Sequence, residues 1–108
     1  MKLFAALVVL TLATPAARAE GKGDVQAGKT AFTASCKTCH GAAGEGNPAI
    51  AKALKVTIPA LGSKEVQGKS DEDMKKVIAT GNGKIKPVQG LSSRQVQDVI
   101  AYVRTLAK

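Results

Sequence analysis

Apolar residues recur at intervals of three and four along three parts of the chain, the period of a helix with one buried face. Over 24–35, Ala27, Ala31 and Phe32 share a face, and Asp24 stands where a helix cap belongs. Ser70, Asp71, Glu72 and Asp73 form a second helix start, with carboxylates at the positive end of the dipole. Met74, Val77 and Ile78 make the stripe that follows, and Gly81 ends it. The third helix begins at Ser92 or Ser93. There Val96, Val99, Ile100, Val103 and Leu106 repeat almost to the last residue, with Arg104 and Lys108 near the negative end of the dipole.

A fourth, short helix is expected over 47–56, because Pro48 suits a first helical position. Residues 58–62, IPALG, read as loop or turn. Alternating β-branched runs are short, and no internal repeat is present. The pattern predicts an all-α domain of three to five helices.

The apolar run at 3–12 has a different meaning. It follows Lys2, and Ala17 and Ala19 place small residues where a signal peptidase reads them. A membrane-spanning helix needs about 20 apolar residues. This run is shorter, and Thr14, Pro15 and Arg18 follow it. Residues 1–19 therefore read as a secretory signal peptide and 20–108 as one exported domain, with no membrane span after cleavage.

Charge and composition narrow the function. The chain has 16 basic and 8 acidic residues; Lys2 and Arg18 belong to the leader, so the domain carries a net +6. A positive globule steers towards acidic partners or anionic surfaces. Single-strand nucleic-acid binding is not indicated, because the aromatic side chains that stack on bases are lacking. Phe32 and Tyr102 are the domain's two aromatics, and a domain this small needs something to hold its core. Its two cysteines, Cys36 and Cys39, are too close for a disulfide to constrain the unfolded chain much.

The stretch CKTCH at 36–40 meets that need. Two thiols two residues apart, followed at once by a histidine, are the attachment pattern of a c-type haem. Each sulfur can add to one porphyrin vinyl group, and the imidazole of His40 then lies under the iron. Lys37 and Thr38 are spacers. A thioredoxin-type pair would follow a strand, whereas a helix precedes this one. A structural zinc site wants four ligands, and His40 is the single histidine. Haem is also a large apolar plate, and c-type attachment belongs to the periplasm or an equivalent compartment, in agreement with export.

With these residues in place, the chain resembles the small class I monohaem cytochromes c of bacteria. GDVQAGK at 23–29 with Phe32 looks like their N-terminal helix, and CKTCHG at 36–41 like their haem site. GLS at 90–92 and VIAYVR at 99–104 look like their C-terminal helix. The resemblance implies a small cytochrome c fold wrapped around one covalent haem c. It also implies a close crossing of first and last helices at Gly28, Phe32 and Tyr102. His40 would be the proximal ligand. Its second ring nitrogen would donate to a backbone carbonyl, a place that Pro48 fits; Pro48 as a plain helix-starting residue is equally open.

The resemblance departs at one position. The family's sixth iron ligand sits in a segment that usually reads GKGKMKP; here 81–87 read GNGKIKP, with Ile85 at the methionine. A branched alkyl group has no lone pair to give. Met74, the domain's one methionine, shares a stripe with Val77 and Ile78 and reads as core. If the loop is extended, Lys84 and Lys86 point away when Ile85 points in. A lysine ligand must also lose its proton, at about 4–5 kcal/mol from an ordinary lysine pKa at pH 7. The reading is a haem lined by Ile85, with water or nothing in the sixth position.

The expected function is electron transfer: a monomeric, non-enzymatic periplasmic carrier of one electron, docking on redox partners with an acidic face. The second reading is a five-coordinate haem protein that binds or senses a small gaseous ligand. Peroxidatic chemistry would need a distal acid–base residue, for which no second histidine exists.

Overall fold

A computed structural model of the chain describes residues 23–83 and 85–108; the signal peptide read over 1–19 lies outside them. Six helices follow in order: α1 (Val25–Ser35), α2 (Lys37–His40), α3 (Pro48–Leu54), α4 (Lys64–Gln67), α5 (Asp71–Thr80) and α6 (Ser93–Arg104). The described residues form no strand beyond an isolated bridge between Asn82 and Ile85. The all-α expectation holds. The count exceeds three to five because α2 and α4 are single turns of four residues, too short to show a period.

Short polar side chains start the longer helices where the sequence places them. Asp24 Oδ1 accepts from the Ala27 amide at 2.9 Å, and Ser70 Oγ from the Asp73 amide at 3.1 Å. Ser92 and Gln95 form a complete capping box, each side chain accepting from the other's amide. Losing such a cap typically costs about 1 kcal/mol.

The crossing of α1 and α6 sets the frame. Gly28 is buried against α6, and a Cβ built on it would overlap the Asp98 carbonyl oxygen. Ala27, expected on the inner face, is exposed; Gly28 lies there instead, because only a residue without a side chain allows this approach. Four residues on, Phe32 is 1 % exposed, and its ring meets that of Tyr102 at a centroid distance of 5.2 Å. A tilted aromatic pair of this kind contributes about 0.5–1.5 kcal/mol beyond the area it buries. Val99, Ile100 and Val103 of α6, Val66 of α4 and Met74 of α5 complete the core.

Two polar side chains tie the frame together. Asp98 is buried on α6; its Oδ1 accepts from the Asp24 amide at 2.7 Å and pairs with Arg94 at 3.3 Å. The start of α1 is thereby fixed to α6. Arg104 donates to the carbonyls of Gln67 and Lys69, both at 2.6 Å, and to the Asp71 carboxylate at 2.8 Å. It straps the α4–α5 connection to α6, a more specific role than dipole compensation. No helix among the described residues is long and apolar enough to cross a membrane.

Candidate haem site

At the end of α1 the chain bends and winds one further turn. The Cys36 amide donates to the Phe32 carbonyl at 2.8 Å, and the His40 amide to the Cys36 carbonyl at 3.0 Å. This winding puts Cys36 and Cys39, three positions apart, on one side. Gly41 ends α2 at φ 82° and ψ 162°, a conformation essentially reserved for glycine. The chain then doubles back beneath the motif. The Gly46 amide donates to the His40 carbonyl at 2.6 Å and the Asn47 amide to the Cys39 carbonyl at 2.9 Å. Asn47 Nδ2 adds a bond to the Thr38 carbonyl at 3.0 Å. Asn47 also caps α3, so one residue fixes both the motif and the next helix. A cap before Pro48 is legible in sequence; the grip on CKTCH is not, since it depends on the turn at Gly41.

Cys36, Cys39 and His40 open together onto a cavity of about 690 Å³, within the usual span of roughly 300–1,000 Å³ for ligand pockets. Ile50, Leu54, Val56 and Ile58 form one stretch of its wall. Val77 and Ile78 of α5 form another, and Ile85, Pro87 and Val88 a third. Leu54 is 40 % exposed at the edge of this space, a large hydrophobic side chain that an apolar occupant would cover.

The motif's chemistry suits such an occupant. Both thiols are free and half-buried. Burial pushes the Cys36 thiol pKa up, and the neighbouring Cys39 adds to the effect. The His40 ring lies 6.5 Å from the Phe32 ring, and burial lowers its pKa. A neutral imidazole keeps the lone pair that a metal ion requires. Among the described residues no group of three or more His, Cys, Asp or Glu is arranged to hold a metal ion unaided. Two free thiols, a neutral imidazole and apolar walls fit a macrocycle that brings most of its own metal ligands.

The expected support from Pro48 is not seen. His40 Nδ1 is buried with no hydrogen-bond partner among the described residues. Pro48 is exposed, does not border the cavity, and opens α3 at its first turn. Its rigid φ serves the helix start, and Asn47 makes the contacts that hold the motif.

The segment carrying Ile85 is folded differently from the extended form that side-chain alternation assumes. The amides and carbonyls of Asn82 and Ile85 exchange bonds at 2.9 and 3.0 Å, closing a tight turn through Gly83 at φ 60°. The Val88 amide then donates to the Ile78 carbonyl at 2.9 Å, fixing the segment to α5. Ile85 borders the cavity, but so does Lys86, because a turn does not send alternate side chains to opposite faces. Lys84 lies outside the described residues. Met74 is buried in the core with Phe32 and Val99 and does not border the cavity.

The comparisons agree with this geometry. The family model for cytochrome c matches residues 25–107. No curated protein matches the sequence. Among solved structures, the c-type cytochrome KustC0563 is similar, with 26 % identity and a TM-score of 0.64 over 75 % of this chain and 98 % of that one. The helices, the cavity and the family match together place the chain in the cytochrome c family, and it carries covalently bound haem c with iron.

Proposed function

We propose that the chain is exported with residues 1–19 as its signal peptide and that 20–108 work in the periplasm as a monomeric one-electron carrier. The observation that carries this reading is the convergence of Cys36, Cys39 and His40 on one apolar cavity. Cys36 and Cys39 would hold the haem through thioether bonds, and His40 would supply a nitrogen ligand to its iron. Bound haem c supplies a one-electron Fe(III)/Fe(II) couple; the protein supplies burial, the axial donor and the surrounding field.

The charge around the cavity gives the carrier a docking face. The segments that build it, 35–58 and 77–89, contain Lys37, Lys52, Lys55, Lys84 and Lys86 against one carboxylate, Glu45. The consecutive acids Asp71, Glu72 and Asp73 sit instead at the start of α5. A partner with an acidic patch would be drawn to the lysine-bearing side.

Potentiometric titration of the purified holoprotein tests the reading. Reversible oxidation and reduction with a one-electron slope is the expected result. Irreversible loss of the haem spectrum on cycling, or enzymatic turnover without electron donors and acceptors, would reject a carrier role.

A further inference from the structure

The cavity wall facing the motif is poor in atoms that can bind iron. Val77, Ile78, Ile85, Pro87 and Val88 contribute hydrocarbon, and none carries a side-chain lone pair. Met74, on the same helix, is buried in the core and does not border the cavity, whereas Val77 and Ile78 do. Two polar residues, Lys86 and Gln89, touch the cavity from this segment, and both are exposed. A carboxamide is a weak donor to iron, and a lysine must first shed its proton and its hydration.

We propose that this wall leaves the sixth coordination position of bound haem c without a protein donor, and that it admits a neutral diatomic ligand such as carbon monoxide or nitric oxide. Ile85 is the residue that decides it. Its backbone is locked on both sides by the Asn82 turn, and the segment is held to α5 at Val88, so its side chain is presented to the cavity from a fixed support. The apolar lining favours an uncharged ligand over an anion. Among the described residues no histidine or carboxylate borders this wall, and its one ionisable side chain, Lys86, is exposed to water, so no buried acid or base is placed there to transfer a proton to a bound ligand. The wall therefore suits reversible binding rather than activation.

This inference rests on the reading that CKTCH carries the haem, and the experiment separates the two. Haem that stays with the denatured chain establishes attachment; haem lost on denaturation overturns both readings. With attachment established, the ferrous holoprotein is titrated with carbon monoxide while its Soret band is followed. A saturable shift in the wild type is expected, retained within a few-fold in Ile85→Val. In Ile85→Met, a thioether that fills the position in about 99 % of molecules leaves about 1 % competent, so carbon monoxide affinity falls about 100-fold. A low-spin wild type that refuses carbon monoxide overturns the proposal, with Lys84→Ala and Lys86→Ala showing whether a lysine is the ligand. Equal affinity in wild type and Ile85→Met overturns the role given to Ile85.

Discussion

The Asp98 carbonyl oxygen occupies the space in which a side chain on Gly28 would begin. Two helices far apart in sequence thus meet backbone to backbone, with Tyr102 packed beside the contact. Gly28→Ala gains up to about 1 kcal/mol of helix propensity. It must also push α6 outward, and overpacking of this kind typically costs about 1–3 kcal/mol. Backbone cannot rotate aside as a side chain can, so the clash wins. Thermal unfolding of the holoprotein should show a lower Tm, by about 4–8 °C for each kcal/mol lost in a domain of this size. An unchanged or raised Tm would mean that the crossing is looser than the structure shows.

Gly41 should be as intolerant, for a conformational reason. At φ 82° and ψ 162° it lies where a side chain costs about 1–3 kcal/mol. It directly follows His40, so relief of that strain would move the imidazole and the return of the chain to Gly46. Gly41→Ala should lower both Tm and the yield of correctly ligated haem, seen as a changed visible spectrum at equal chain concentration. A lower Tm with a wild-type spectrum would confine the effect to the loop.

Local chemistry is what the sequence displays well. The caps at Asp24, Ser70 and Ser92 are legible because cap and partner are three residues apart, and the stripe of α6 because its period persists for three turns. CKTCH is legible because two thiols and a histidine at that spacing form a local pattern. The strap at Arg104 is not, since its partners lie 33 to 37 residues away and two of them are main-chain carbonyls. Ala27 is exposed despite its place in the period, whereas Gly28, named by the family resemblance, is buried: helical period gives a face, while the depth of the crossing decides which residue on it is buried. The extended form assumed for the segment around Ile85 is replaced by a local turn, closed between Asn82 and Ile85 through Gly83, with Val88 then bonded to α5. Ile85 reaches the cavity by that turn, not by alternation.

Arg104→Met tests the strap. Methionine keeps most of the apolar stem and removes the donors, leaving the Gln67 and Lys69 carbonyls without them. Hydrogen bonds from a charged group contribute about 1.5–3 kcal/mol; part of the loss is recovered because these carbonyls lie near the surface and can meet water. The expected change is a destabilisation of about 1–2 kcal/mol, with faster amide exchange concentrated at 67–71. Arg104→Lys should recover only part of it, because one ammonium cannot reproduce the planar fork that spans two carbonyls. Uniformly faster exchange across all helices would point to a global effect instead.

Docking through the lysine-bearing side should depend on salt. The screening length shrinks from about 10 Å at 0.1 M to about 3 Å at 1 M ionic strength. The second-order rate of electron transfer to an acidic protein partner should therefore fall steeply across that range. Haem propionates offset part of the local charge, so the measurement belongs on the holoprotein. Lys52→Glu combined with Lys55→Glu should flatten the dependence, both residues being exposed in the segment that supplies Ala53, Leu54 and Val56 to the cavity wall. A rate indifferent to salt would remove the electrostatic part of the docking proposal.

Loss of both proposed attachment points, Cys36 and Cys39, should remove the fold itself. Among the described residues seven buried hydrophobic side chains form the core, and the cavity beside it measures about 690 Å³. At roughly 24 cal/mol per Å³, an empty apolar void of that size would cost on the order of 15 kcal/mol. The mouth is open to water, which reduces that figure, but a whole domain is stable by only about 5–15 kcal/mol. Without haem the walls at 50–58 and 77–88 have nothing to pack on, and the short helices α2 and α3 are far below the length that stands alone in water. Cys36→Ala with Cys39→Ala should therefore give a chain with little far-ultraviolet helical signal and no cooperative melting. Each single variant keeps one thioether and His40, so it should fold with haem at reduced stability. A haem-free double variant that is compact, helical and cooperatively folded would show that the α1–α6 crossing suffices and that the cofactor does not organise the core.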